Sequence, residues 1–462
     1  MENLQADITM EILSRLPVNS VLECVKVCIT WRNLIRSSYF ANTHSRRQIQ
    51  YRQQLDARDD DRRYVDDYIN LGYIFLIKKQ HQMSLFGYPE KLQLQYNENI
   101  DNIRIVDYQS NEELIADNKE WWIPNNMLSS YRYSLVGSCN GLVCFSRECY
   151  NEPGGYVDVE DTVYYDPVFI CNPITRERIN LPSYNAEKRS RIVSGFGYHA
   201  SKDEYKVVRI IYHPEEQPDI GYVQVYTVGD GNGWRNKEEI SYCLWPSASS
   251  GILMSGTLVW IDENFNIVAF DLSNEVFCLL PQPPCYMQIG RRREYYPKLS
   301  EFKNSVCVVS RNVLNNNELG NNVEIWLLKG NVSDMTNQNQ NKPYWTNIFS
   351  TPREGLFLSG DHDEVSLLAL TNGGEILFWN NVKRTIFRFD PNTATTMIVG
   401  DFKGLENTRA ITHMNTFVTL MDLGRSYRFQ READIDEVNY LPEEKSDRVL
   451  GKRKWESEDY SR

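Results

Sequence analysis

Three cysteines, Cys139, Cys144 and Cys149, recur every five residues. Clustered thiolates are soft metal donors, so the triplet is the first place to look for chemistry. The spacing does not support a zinc site. There is no Cys-x-x-Cys in the chain, and no histidine lies near the triplet in sequence. Cys144, Cys171, Cys278 and Cys307 sit inside apolar, strand-like text, which reads as buried free thiols. The six histidines, at 44, 81, 199, 213, 362 and 413, are scattered and fall mostly in turn-like text. No Ser/His/Asp constellation or phosphate loop accompanies them. No catalytic residue, metal or cofactor is therefore expected. The sharpest concentration of binding chemistry is Arg291-Arg292-Arg293 followed by Tyr295 and Tyr296. Forked guanidinium donors beside aromatic rings suit an acidic segment of a partner protein.

Composition agrees with binding rather than catalysis. The 462 residues carry a net charge of −12, which argues against a nucleic-acid or anionic-membrane target, since both need a basic footprint. Glu2, Asp7, Glu11 and Arg15 interrupt any apolar leader. Apolar runs such as Tyr73 to Ile77 fall short of the ~20 residues that span a bilayer. The expected location is cytoplasmic, nuclear or both. Aromatic residues make up 12%, led by 28 Tyr, a bias towards many short strands.

The elements that position these residues fall into four stretches. Residues 1–48 read as three short helices: a stripe of Ile8, Ile12, Leu13 and Leu16, a stop at Pro17, a capping box from Ser20 to Glu23, and a stripe of Val27, Trp31, Leu34 and Ile35. So small a unit with so much apolar surface keeps a patch for a partner. Residues 49–68 are a charged linker. Residues 69–430 lose helical periodicity and alternate strand text with turns. Residues 431–462 are a polar tail with a basic cluster at Gly451-Lys452-Arg453-Lys454.

Internal repetition selects the architecture of 69–430. Three phrases open on a glycine turn, run through an apolar strand and end a second strand on an Asx step. They are Asn140-Gly141-Leu142-Val143-Cys144-Phe145 with Asn172-Pro173, Ser255-Gly256-Thr257-Leu258-Val259-Trp260 with Asp271-Leu272, and Gly373-Gly374-Glu375-Ile376-Leu377-Phe378-Trp379 with Asp390-Pro391. The Gly-to-Asx spacing is 15 in the second, 16 in the third and 31 in the first, which carries an insertion. The first two close on Leu181-Pro182 and Leu280-Pro281. A further phrase pairs Val223-Gln224-Val225-Tyr226 with Trp234, and Val323-Glu324-Ile325-Trp326 with Trp345. Recurring antiparallel units that cannot bury their faces alone make a β-propeller. At ~45–50 residues per blade, 69–430 holds about seven blades.

The first 40 residues resemble an F-box. The matching text is Glu11-Ile12-Leu13-Ser14-Arg15-Leu16-Pro17-Val18, then Val27-Cys28, Trp31-Arg32, Leu34-Ile35 and Phe40. The family usually opens Leu-Pro, whereas Gln5 follows Leu4 here; a proline at a first helical position contributes mainly preorganisation. The remainder is similar to the kelch-like F-box-associated domain of plants. Its marks are Gly137-Ser138-Cys139-Asn140-Gly141-Leu142, Cys171-Asn172-Pro173-Ile174-Thr175-Arg176-Glu177, and Gly195-Phe196-Gly197-Tyr198 with Asp203-Glu204-Tyr205-Lys206.

The resemblance implies a mainly β protein, a short three-helix F-box followed by a kelch-like propeller. It implies a non-catalytic substrate-recognition subunit of an SCF-type ubiquitin ligase. The F-box would dock on a Skp-type adaptor, and through it a cullin, while the propeller holds a protein for ubiquitination. Candidate adaptor anchors are Leu4, Ile8, Ile12, Leu13, Leu16, Pro17, Val18, Leu22, Val27, Trp31 and Leu34. Some of these must form the helical core instead, and the sequence does not sort them. Candidate substrate loops are 147–162, 214–220, 288–297 and 312–322. The alternative reading is a non-degradative propeller scaffold or glycan-binding protein.

Overall fold

The computed structural model describes residues 6–56 and, with breaks, 71–423. The breaks of five residues or more are 96–103, 108–112, 115–119, 122–132, 151–162, 185–189, 245–249, 286–297, 314–318, 331–341 and 353–364. Side chains are described for 6–50 and for most of the chain from 134 to 420.

Four helices open the chain: α1 (Ala6–Leu13), α2 (Val18–Cys24), α3 (Ile29–Ile35) and α4 (Ser38–Asp56). Three were expected. The fourth runs from Ser38 through the first residues of the expected charged linker. Helix α2 also starts earlier than the Ser20 capping box suggests. Pro17 occupies its N-cap, with φ −57° and ψ 150° and no side-chain cap bond. The fixed φ of proline both ends the preceding segment and launches the next helix, so Ser20 falls inside the first turn. Helix α3 is capped by Cys28, whose sulfur accepts from the Trp31 backbone N–H at 3.4 Å. Leu13, Val18, Val21, Ile35, Phe40 and Ala41 form the helical core.

Everything described between these helices and residue 414 is strand and turn. Five blades are uninterrupted antiparallel meanders of four consecutive strands. The first holds β7 (Tyr133–Cys139), β8 (Leu142–Tyr150), β9 (Val163–Asn172) and β10 (Glu177–Asn180). The second holds β11 (Arg191–His199), β12 (Glu204–His213), β13 (Gln217–Thr227) and β14 (Trp234–Asn236). The third holds β15 (Ile252–Met254), β16 (Thr257–Ile261), β17 (Ile267–Asp271) and β18 (Val276–Leu280). The fourth holds β19 (Lys298–Phe302), β20 (Ser305–Val313), β21 (Leu319–Lys329) and β22 (Tyr344–Pro352). The fifth holds β23 (Val365–Leu370), β24 (Ile376–Asn380), β25 (Thr385–Asp390) and β26 (Thr395–Asp401).

A further four-stranded sheet joins both ends of the ring. In it β27 (Glu406–Met414) pairs with β1 (Leu71–Lys79), followed by β2 (Gln82–Pro89) and β6 (Glu120–Trp121). The expectation of about seven blades is thus corrected to five consecutive ones plus this closing sheet. Dividing length by a standard blade fails because β3 (Leu92–Gln95), β4 (Arg104–Asp107) and β5 (Glu113–Leu114) pair with one another in a separate three-stranded sheet.

The repeated phrases have local causes. Asn140-Gly141 and Ser255-Gly256 both put two successive residues at positive φ (50° and 87°, 47° and 81°), the backbone that closes a two-residue hairpin. At each Asx step the side chain accepts from the backbone two residues on: Asn172 Oδ1 from Ile174 N at 2.9 Å, Asp271 Oδ1 from Ser273 N at 2.7 Å, Asp390 Oδ1 from Asn392 N at 2.8 Å. The third and fourth strands then join through one left-handed residue, Arg176, Glu275 or Ala394.

The other two phrases meet across blades. Trp234 Nε1 donates to the Pro182 carbonyl at 2.8 Å, and Trp345 Nε1 donates to the Pro281 carbonyl at 2.6 Å. Each Leu-Pro step therefore ends a blade and offers an acceptor to the tryptophan of the next. Glycines let the inner strands approach: a Cβ on Gly195 would sit 2.8 Å from the fully buried Trp260 ring, and one on Gly197 2.6 Å from Leu253.

Candidate docking site

The helical unit has two apolar faces. Its inner face is the core named above. Its outer face carries Ile8 and Ile12 on α1, exposed to 46% and 49%, Val27 between α2 and α3, exposed to 64%, and Ile29 at the start of α3, exposed to 71%. Leu13 and Val18, candidates for docking from sequence, are buried in the helical core. Leu16, Leu22, Trp31 and Leu34 are half-buried and pack against that core. Pro17 is half-buried at the α2 N-cap. Leu4 lies outside the described residues, as do Arg291, Arg292, Arg293, Tyr295 and Tyr296. Sequence reasoning missed Ile29 and Tyr39, which is 71% exposed. Both are apolar residues at helix starts that fit none of the helical stripes, the one signal that marked them.

Polar contacts hold the outer face in place. Arg47 of α4 reaches back to α1, where its guanidinium pairs with the Glu11 carboxylate at 2.5 Å and also meets Ser14 Oγ. Arg15 bonds the same carboxylate. Hydrogen bonds from Arg15 and then Arg47 hold the Glu11 carboxyl below its ordinary value. His44, fully buried on α4, donates Nε2–H to the Leu16 carbonyl at 2.8 Å and so fixes the turn between α1 and α2. Burial pushes its pKa below the ordinary 6.5. A base whose folded pKa is depressed is protonated first in the unfolded chain. Stability of the helical unit is therefore full above about pH 6.5 and declines as pH falls below it. Thermal melts of the chain between pH 7.5 and 5.5 should show this decline, and His44→Gln should flatten it.

The ring gives a second face, at a known end. Neighbouring inner strands run parallel. Gly195 of β11 bridges Gly251 beside β15 in parallel, Gly137 of β7 abuts Phe196 of β11, and Ser138 Oγ of β7 bonds His413 Nδ1 of β27 at 2.7 Å. Within each blade the strands are antiparallel, so the first and third turns lie at one end and the second connection and the blade-to-blade connection at the other. The helical unit sits at the first end, beside the Asn140-Gly141 and Asn172–Arg176 turns; Ile174 packs on its core. The strand ends that flank all four candidate substrate loops, 147–162, 214–220, 288–297 and 312–322, lie at the opposite end. Residues 151–162, 214–216, 286–297 and 314–318 themselves lie outside the described residues.

All nine described cysteines are free, and among the described residues no group of three or more His, Cys, Asp or Glu is arranged to hold a metal. Burial pushes the Cys171 thiol up to about 12 and the Cys144 thiol well above its ordinary value, so these thiols stay protonated.

Between the second and third blades a buried charge cluster ties the ring together. Lys206 Nζ contacts Glu275 at 2.9 Å and Glu204 at 3.1 Å, and donates to the Leu272 carbonyl at 2.7 Å; Arg235 pairs with Glu275 at 2.8 Å, and Lys237 also meets it. Burial alone would raise the Glu275 carboxyl, but hydrogen bonds from these three cations hold it far below its ordinary 4.5. A depressed carboxyl stabilises fully above its unfolded value and loses that contribution as pH falls towards the folded one. The chain should lose stability steeply below about pH 4.5. Glu275→Gln should be less stable at pH 7 by about 2–3 kcal/mol, since it leaves buried Lys206 with only the part-exposed Glu204 and the Leu272 carbonyl, and should respond less to acid. Denaturant titrations at pH 7 and pH 4 read both effects.

A small helical unit with exposed apolar side chains is set on one end of a β-propeller. The comparisons place the chain in a family. Residues 1–43 match the F-box domain, and residues 74–423 match the F-box associated beta propeller domain. The chain belongs to the family of F-box proteins with an F-box associated β-propeller. It is 24% identical to the F-box protein At3g07870 of Arabidopsis thaliana over 450 residues, 88% of each chain. It is 25% identical to the F-box/kelch-repeat protein At3g23880 of the same plant over 292 residues, 61% of this chain and 66% of that one. Among solved structures, an oligogalacturonate lyase from Vibrio parahaemolyticus aligns over 70% of this chain and 75% of that one, at 13% identity and a TM-score of 0.32, too slight a likeness to carry an argument. No described helix is long and apolar enough to cross a membrane.

Proposed function

We propose that this chain is the substrate-recognition subunit of an SCF-type ubiquitin ligase. Its outer F-box face, Ile8, Ile12, Val27 and Ile29, docks a Skp-type adaptor and through it a cullin. The observation that carries the reading is that these side chains stay exposed on a unit whose core is already filled by others. Leu16, Pro17, Leu22, Trp31 and Leu34 border the face and shape it. A protein substrate binds the end of the propeller away from the F-box. Neither end makes or breaks bonds. The chain works by effective concentration, converting ubiquitin transfer to a bound substrate into a near-intramolecular event.

Proximity labelling tests the substrate half. The chain carrying Ile8→Asp and Ile12→Asp keeps its ring but loses the adaptor. Proteins labelled by it in cells should accumulate relative to their levels with the unaltered chain. Labelled proteins whose half-lives are the same with either chain would favour the non-degradative scaffold.

A further inference from the structure

Residues 415–423, which follow β27 and end in the short helix α5 (Leu420–Leu423), touch both the ring and the F-box. On the ring side the contacts are hydrogen bonds to two turns of the first consecutive blade and to the strand beyond them. Asn172 Nδ2, fully buried, donates to the carbonyls of Thr416 at 3.1 Å and Val418 at 2.8 Å, while its Oδ1 caps its own turn. Thr416 Oγ1 donates to the Asn140 carbonyl at 2.7 Å, and the Leu420 N–H donates to Glu177 Oε2 at 2.6 Å. A Cβ on Gly141 would collide with Thr416 Oγ1. On the F-box side the contact is one apolar plug. Phe417 is buried edge-on against Phe40 (5.9 Å between ring centroids) and His44 (5.1 Å), within the core that holds Leu13 and Val21.

We propose that residues 415–423 are a strap that fixes the orientation of the F-box on the propeller. The Asn-Gly and Asn-Pro steps that mark the sequence are its clasp. A peptide connection alone leaves two modules free to rotate. A further attachment, made through the buried Phe417 side chain on the F-box and four hydrogen bonds to the ring, adds to the packing of Ile174 on the F-box core and removes that freedom. The same register that pairs Met414 with Leu71 sets the strap beside the point where the chain enters the ring. Resting on the receptor reading, the strap holds the adaptor face and the opposite mouth of the ring at one separation and angle. Bound substrate is then presented in a single pose.

The test uses the full chain and needs no substrate. Spin labels are introduced through non-natural amino acids at the exposed positions Ser20 on α2 and Asn232 in the β13–β14 turn, and the distance distribution between them is measured by pulsed paramagnetic resonance. The unaltered chain should give one narrow distribution. Phe417→Ala and Asn172→Ala should each broaden it at least about twofold, and Phe417→Leu, which keeps the plug apolar, should not. If Asn172→Ala does not fold, Phe417→Ala alone decides, because it leaves the ring strands untouched. A distribution that stays narrow in Phe417→Ala overturns the strap. Adaptor binding by the same samples judges the receptor reading separately: binding with an unchanged width keeps that reading and rejects the strap, and no binding with a broadened width does the reverse.

Discussion

Replacing Ile8 and Ile12 together by aspartate should weaken binding to a Skp-type adaptor by at least about a hundredfold while the chain stays folded. Apolar anchors at the centre of an interface contribute about 2 kcal/mol each or more when lost, and two of them approach 3–4 kcal/mol even with incomplete additivity. Carboxylates there would also have to be desolvated on docking, which adds to the penalty. The fold should tolerate the change. Both side chains are about half exposed, whereas the residues that hold the unit together, Leu13, Val18 and Val21, are untouched. Leu13→Asp is the informative contrast. It should also abolish binding, but by unfolding the F-box, with loss of the helical signal. Calorimetric titration with the adaptor alongside circular dichroism separates the two outcomes. Unchanged affinity in the double variant would remove α1 from the docking face.

Arg209→Ala should destabilise the ring by about 3–5 kcal/mol, the cost of breaking a buried ion pair by removing one partner. Arg209 Nη1 pairs with Asp166 Oδ1 at 2.9 Å across the first two consecutive blades, and both side chains are almost completely buried. Its Nε donates to Gln224 Oε1 at 2.7 Å, and its guanidinium lies 3.9 Å from the Trp234 ring centroid and 5.2 Å from that of Tyr184. Burial raises the Asp166 carboxyl pKa even with Arg209 present; the bonds from Tyr184 N and Arg209 only oppose that rise. Without the arginine, Asp166 would keep the Tyr184 backbone donor and the nearby charge of Arg147, but would lose its buried ion pair. Replacing both charges, as in Asp166→Leu with Arg209→Met, should cost much less, because it removes the stranded carboxylate as well as the pair. Denaturant midpoints of the single and double variants read the difference. A single variant as stable as the parent would show that the pair contributes nothing to joining the blades.

How much of this was legible in the sequence depends on how local the cause is. The Asn140-Gly141 hairpin and the Asp271 and Asp390 steps are set within a few residues, and their phrases read correctly as turns. The tryptophans of the second repeat, Trp234 and Trp345, stood out as a pattern. Their acceptors, Pro182 and Pro281, lie more than 50 residues away on the preceding blade, so their pairing follows only from the ring. The F-box stripe could not be sorted, because Ile8, Ile12 and Leu13 fall on neighbouring faces of an eight-residue helix. Which of them faces inward is decided by α4, and by Phe417 some 400 residues on. The blade number failed for a related reason. Strands β3 to β5 have ordinary strand composition, and nothing local says that they pair with each other and not with the ring.

The most direct test of the two-ended reading is to mix the purified full chain with a Skp-type adaptor and a cullin and follow the species by size-exclusion chromatography with light scattering. The expected result is a single complex with one copy of each, which the Ile8→Asp, Ile12→Asp chain does not form. A folded, full-length chain that elutes alone at micromolar concentrations of all three would contradict it.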